Sequence, residues 1–227
     1  MKRKMISWAS RLFARWNTQP PPTAVTFHRF GGATGITRDV IRHHLGFLAQ
    51  NHDFVLPRDL GSGVSSQRLA MATVDDCHED IYDHLFPVAC EMRVPFMIAV
   101  PSDFFLREQW LWFDKLYWMV GSLPSRREVR VGGKQYVIEP RIAPKGLKEF
   151  FKRQQPAARD AALADLANQL GIAVPPRPVE GYGSVSHAHM KEMLASGLVE
   201  ITVHTATHTI ASVLEPSALD RELRDSK

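Results

Sequence analysis

The amino-acid sequence predicts an α/β protein built on a parallel sheet or barrel. Three observations carry that expectation. Apolar runs of strand length alternate with amphipathic stretches of helical length, as in chains of βαβ units. Capping and stop residues bracket the amphipathic stretches. Two of the apolar runs end in clusters of acids or histidines, and parallel α/β folds gather their functional residues at strand C-termini.

Taken in order, Ala24 to Phe27 reads as a short strand ending at His28. Thr37 can cap a helix through about Gln50, with Ile41, Leu45 and Leu48 on one face. Asp53 to Leu56 is a second short strand, and Leu69 to Val74 a buried one followed by Asp75 and Asp76. A helix follows over Ile81 to Glu91; Pro87 either kinks it or marks its true start. Val94 to Val100 is a further buried strand.

Residues 106–185 break this rhythm and read as an α+β insertion. Trp110, Trp112, Phe113, Tyr117 and Trp118 cluster there, and are expected to form the insertion's core rather than a sugar-stacking platform. Val129 to Ile138 reads as a hairpin turning at Gly132-Gly133. Two helical stretches follow, the second from Pro156 to Leu170 with Gly171 as its stop, and then a Pro- and Gly-rich linker over Val174 to Tyr182. The main rhythm resumes at a helix capped by Ser186 and ended by Gly197. Leu198 to Val203 is the next strand, with His204 at its C-terminal end. A last helix starts near Pro216, with Leu219 and Leu223 on one face.

The bulk properties limit the function classes. The chain has 227 residues, 44% hydrophobic and 23% charged, enough to bury a real core. No run approaches the roughly 20 apolar residues of a spanning helix. The net charge of +4 is mild and forms no basic stripe interleaved with aromatics, so no nucleic-acid partner is expected. Cys77 and Cys90 make neither a disulfide framework nor a C-x-x-C metal knuckle, which fits a reducing compartment.

Residues 1–22 form a separate segment ahead of a domain over 23–227. Lys2, Arg3, Lys4, Arg11 and Arg15 accompany Ile6, Trp8, Leu12, Phe13 and Trp16 at helical spacing. The pattern suits a basic amphipathic helix resting weakly on a membrane surface, or one docked on its own domain. Pro20 to Pro22 then act as a stiff spacer. Ser7, Ser10 and Arg11 break the apolar run that a secretory signal needs. The expected location is cytoplasmic, peripheral to the inner membrane face.

Chemistry concentrates at two strand ends, Asp75-Asp76 and His204-Thr205-Ala206-Thr207-His208. Two histidines four apart can face one way across a helical turn and reach one metal ion. A carboxylate from another strand would complete a three-ligand site with a position open for water. Adjacent aspartates point different ways, so one can bind the ion while its neighbour takes a proton. Taken singly, each cluster also matches a solvated turn or a surface His pair; their placement at two buried strand ends sets them apart.

The same residues carry a resemblance. Thr73-Val74-Asp75-Asp76-Cys77 resembles the T-F-D-D-G motif of the polysaccharide deacetylases (the NodB-homology group, carbohydrate esterase family 4). His204-Thr205-Ala206-Thr207-His208 resembles that family's second motif, here spaced H-T-x-T-H. Thr26 to Phe30 is similar to the Y-H-R-V opening of many members, Val94 to Val100 to their I-P-A-T-F-F-V strand, and Glu222 to Lys227 to their E-L-x-x-S-K helix. Trp112 to Tyr117 resembles a W-W-D-x-L-Y stretch inserted in members from exopolysaccharide gene clusters.

The resemblance implies an incomplete, distorted seven-stranded (β/α) barrel of the deacetylase type. It implies hydrolysis of an acetyl group, most often N-acetyl, on a polysaccharide or oligosaccharide. Asp75 becomes the catalytic base, and Asp76, His204 and His208 the ligands of a divalent metal, usually zinc, that activates water. His28 and Cys77 would line the site. Cys77 stands where the motif has glycine, and Val74 where it has phenylalanine. The family's later R-x-P-[YF], D-x-x-D-W and L-x-H segments do not occur before Lys227, so the implied barrel lacks its last strands. A non-catalytic carbohydrate-binding paralogue is therefore the alternative, and an unrelated metal-dependent hydrolase a third reading. His187 and His189, two apart on a helix, face different ways and are expected to be structural or exposed. His43, His44, His52, His78 and His84 carry no role in this reading.

Overall fold

A computed structural model of the chain describes residues 22–31, 34–60 and 68–227. The basic amphipathic segment expected over residues 1–16 lies outside them. In chain order the elements are β1 (Thr23–Phe27), α1 (Arg38–Ala49), β2 (Asp53–Phe54), β3 (Leu69–Asp75), α2 (Phe86–Met92) and β4 (Phe96–Val100). Then come α3 (Ser102–Arg107), α4 (Trp112–Gly121), β5 (Arg127–Val131), β6 (Lys134–Ile138), α5 (Lys145–Lys152) and α6 (Pro156–Leu170). The last are α7 (His187–Ala195), β7 (Val199–Val203) and α8 (Pro216–Asp225). Among the described residues no helix is long and apolar enough to cross a membrane.

The described residues divide into two compact units, one running up to Ala99 together with Val185–Thr202, the other Val100–Ser184 with Val203–Lys227. The first is a sheet ordered β1-β3-β4-β7, with β2 beside β3. β1, β2 and β4 all pair with β3 in parallel. The expected mostly parallel sheet is present, but it is open: among the described residues no strand pairing closes it into a barrel. Its central strand, β3, is fully buried on one face, at Ala70, Ala72 and Val74, and half-buried to buried on the other, at Leu69, Met71 and Thr73. That explains why it reads as a continuous apolar run rather than an alternating one.

Local rules account for the helices. The Thr37 side chain accepts from the Val40 amide at the start of α1, and Ile41 and Leu45 turn into the core. The stretch before Pro87 winds as a wider π-type turn over Ile81–Leu85, and α2 begins at Phe86 with the proline in its first turn. Pro87 thus sits at the junction of the π-type and α-helical turns of one continuous run, and the Asp83 carbonyl four residues before it accepts from Arg38 Nε at 2.8 Å instead of from a helix amide. Ser186 caps α7 by accepting from the His189 amide.

The second unit has its own core. Trp112, Leu116 and Met119 of α4 pack with Val129, Val131 and Ile138 of the hairpin and with Phe151, Leu163 and Leu166 of the two following helices. The aromatic cluster is thus largely core: Trp112 is buried, and Phe113 and Trp118 pack against the same cluster. In α8 the expected apolar face is thin, since Leu223 is 46% exposed.

β5 and β6 pair antiparallel in register Val131↔Lys134. Gly132 (φ +57°) and Gly133 (φ +77°) are both left-handed, which a two-residue turn of this twist demands. A Cβ on Gly132 would overlap the Phe150 ring, whereas one on Gly133 would meet nothing. Gly133→Ala should therefore cost about 1–2 kcal/mol of left-handed strain. Gly132→Ala should cost about 1–3 kcal/mol more, from overlap with Phe150. Urea denaturation of the two variants checks this; equal losses would contradict it.

Candidate metal centre

Strand β3 ends on a sharp break. Asp75 is its last residue, level with Ala99 of β4. The next two residues, Asp76 (φ +76°) and Cys77 (φ +64°), are both left-handed, and the Asp76 amide donates to the Ala99 carbonyl at 3.1 Å. Aspartate tolerates this backbone better than most residues, while cysteine gains nothing from it. The glycine of the motif that this segment resembles is thereby explained: the position needs a positive φ. The break separates the two acids. Asp76 is 3% exposed, whereas the Asp75 side chain is 24% exposed and open to solvent.

Asp75 has a neighbour that the sequence placed at the site mouth. His28 follows β1 and holds Nε2 at 3.5 Å from Asp75 Oδ2. That distance is long for a hydrogen bond, and the imidazole is largely exposed, so the contact adds little to stability. The turn carrying His28 is fixed from behind. Asp80 Oδ2 accepts from Arg29 Nε at 2.7 Å and from the Phe30 amide at 3.2 Å. Sequence reasoning missed Asp80, because an acid five residues beyond Asp75 has no spacing signature.

The histidines depart from expectation in their backbone. His204 leaves the end of β7 with its amide donating to the Val100 carbonyl at 3.0 Å. The segment after it is a loop, not a helical turn. Thr205 (φ +63°) and His208 (φ +55°) are left-handed, and these two reversals, rather than a 3.6-residue period, bring the rings together. The ring centroids of His204 and His208 lie 4.7 Å apart at 74°. Phe113 stands edge-on to His208 at 5.1 Å, a contact no motif announced.

Asp76, His204 and His208 each offer one ligand atom, and these atoms all lie within 4.8 Å of one another. Among the described residues this is the one group of three or more such side chains close enough to share an ion. Two imidazole nitrogens and one carboxylate oxygen suit zinc or a similar divalent ion, and three protein ligands leave a coordination position open. Cys77 is not in the group. His189 stacks on Tyr82 at 3.7 Å and 2°, so it packs as a surface aromatic, as its place on α7 implied.

No family model matches the sequence, and no curated protein matches it. Solved structures similar to the chain include IcaB from Ammonifex degensii, at 19% identity and a TM-score of 0.49, covering 92% of this chain. A Streptococcus pyogenes deacetylase, PplD, in complex with acetate matches at 13% and 0.48 over 91%. BC0361, a polysaccharide deacetylase from Bacillus cereus, matches at 13% and 0.47 over 91%. The chain spans 67%, 65% and 45% of the lengths of these three proteins, respectively. Likeness at these identities and scores fixes no residue's role, and the chemistry of the site rests on this chain's own side chains.

Cys77 shows how dry the surroundings of the break are. Its side chain is fully buried, its carbonyl accepts from the Val185 amide, and burial pushes its thiol up to about 12 from an ordinary value of 9.0. A neutral thiol is a poor metal ligand. Cys90 is exposed. A thiol reagent at pH 8 should therefore modify Cys90 and spare Cys77 until the protein is unfolded; two fast thiols in the native protein would contradict this. The sign of the linked stability follows. Above pH 9 the unfolded thiol ionises while the folded one stays protonated, so stability should fall as pH rises toward 12, and less so in Cys77→Ala.

Proposed function

We propose that the chain is a metal-dependent hydrolase that removes acetyl groups, N-acetyl groups foremost, from a polysaccharide. The observation that carries this reading is the grouping of Asp76, His204 and His208 within 4.8 Å, next in sequence to the more exposed Asp75. In this reading the open sheet belongs to an incomplete deacetylase-type barrel, with residues 106–185 as an insertion.

Asp76, His204 and His208 hold the ion. Bound there, a divalent metal supplies Lewis acidity to an acetyl carbonyl and lowers the pKa of water. The protein's own residues do the rest. Asp75 is excluded from the ligand set and accessible to solvent, so its carboxylate is free to receive the proton that the attacking water loses. His28 Nε2, 3.5 Å from that carboxylate, is the imidazole placed beside it. Phe113 packs edge-on against the His208 ring at 5.1 Å.

The reading separates two kinds of variant. His204→Ala and His208→Ala should each lose stoichiometric zinc, measured by elemental analysis of dialysed protein. Asp75→Asn should keep its zinc and lose about 10²- to 10⁴-fold in the rate of acetate release from an acetylated chito-oligosaccharide. Full zinc retention in the histidine variants, or undiminished turnover by Asp75→Asn, would contradict the assigned roles. A wild-type protein that holds zinc but releases no acetate from any acetylated glycan would favour a binding role over catalysis.

A further inference from the structure

The loop that carries His204 and His208 is held by an acid to which neither composition nor spacing assigns a role. Glu222 lies on α8. Its Oε2 accepts from the Ala206 amide at 3.0 Å and from the Thr207 amide at 3.0 Å. Its Oε1 accepts from the Thr207 hydroxyl at 2.7 Å. These are three charge-assisted bonds from one carboxylate to two consecutive residues lying between the histidines. The left-handed Thr205 turns the following amides to one side, forming a small nest for an anion.

The rest of the network agrees in its donor sense. Thr207 Oγ1 gives its single proton to Glu222, so the 2.6 Å contact between Thr207 and Thr209 requires the Thr209 hydroxyl to donate. Thr209 in turn accepts from Arg159 at 3.3 Å. Arg159 is 4% exposed and lies over the Trp112 ring at 5.5 Å, so a buried cation feeds the far end of the relay. On the loop's other edge, the carbonyls of Thr205 and Ala206 accept from the first two amides of α3, at 3.2 and 2.9 Å. Two amides on one edge of the loop and two carbonyls on the other are thereby paired.

We propose that Glu222 is a positioning residue for the backbone of the loop that carries His204 and His208, holding the two histidines in the geometry that accepts a metal ion. The proposal rests on the reading of Asp76, His204 and His208 as metal ligands. Glu222 touches neither ion nor substrate; it acts through the amides of Ala206 and Thr207. Removing it takes the acceptor from the Ala206 and Thr207 amides, leaves the Thr207 hydroxyl only Thr209 as a partner, and frees a loop that has two left-handed residues to relax.

The test uses the full chain with two readouts. In metal-free protein, amide hydrogen exchange at Ala206 and Thr207 should be at least about tenfold faster in Glu222→Ala, with β3 unaffected. Zinc affinity, measured by chelator competition, should fall roughly 10- to 100-fold in Glu222→Ala, and less in Glu222→Gln, whose amide oxygen still accepts. Thr207→Val, which removes only the hydroxyl, serves where Glu222→Ala fails to fold, and should weaken zinc binding by a smaller factor. Unchanged exchange at Ala206 and Thr207 overturns the proposal. So does wild-type zinc affinity in both Glu222→Ala and Thr207→Val. A wild-type chain that binds no zinc would sink the metal reading instead, and the exchange measurement would still decide whether Glu222 holds the loop.

Discussion

Strand β3 ends where two successive residues, Asp76 and Cys77, enter left-handed backbone while the Asp76 amide bonds to Ala99. Each non-glycine residue in that region costs about 1 kcal/mol or more. The gain is geometrical. A regular strand would send successive side chains to opposite faces of the sheet. The break instead leaves Asp75 in reach of solvent and seats Asp76 in a buried position. Two identical side chains, one residue apart, thus acquire different environments and can hold different roles.

The same device recurs at the end of β7. His204 closes the strand, and Thr205 and His208 reverse the chain. Here the strain is offset by hydrogen bonds that are unusually well matched: a carboxylate for two amides and a hydroxyl, and helix amides for two carbonyls. Rigid strands set the origin of each site residue, and a few over-determined loop bonds set its direction. That division explains why a site on loops can still be preorganised.

Much of this was legible in the sequence. The strand–helix alternation, the caps at Thr37 and Ser186, the Gly132-Gly133 turn and the acids and histidines at two strand ends each rest on a local rule. So do the spans of β3, β4 and β7. What was not legible depends on tertiary geometry. The His pair looks like one helical turn in sequence, but left-handed residues make it a loop, and only packing reveals their φ. A parallel sheet is implied by alternation, yet closure into a barrel is not, and the sheet is open among the described residues. Asp80 precedes an expected helix and Glu222 opens the E-L-x-x-S-K-like stretch, but neither position names a partner; the amides they hold come from residues 50 and about 15 positions away. Cys77 was expected to line the site, and only its tertiary surroundings show that its thiol is fully buried.

The proposed metal centre joins one carboxylate and two imidazoles of this chain, without sulfur. X-ray absorption at the zinc edge of the loaded protein tests it most directly. The expected spectrum has a first shell of nitrogen and oxygen at about 2.0–2.1 Å with the outer-shell pattern of two imidazoles. A zinc–sulfur path near 2.3 Å, or a spectrum lacking imidazole scattering, would contradict the account.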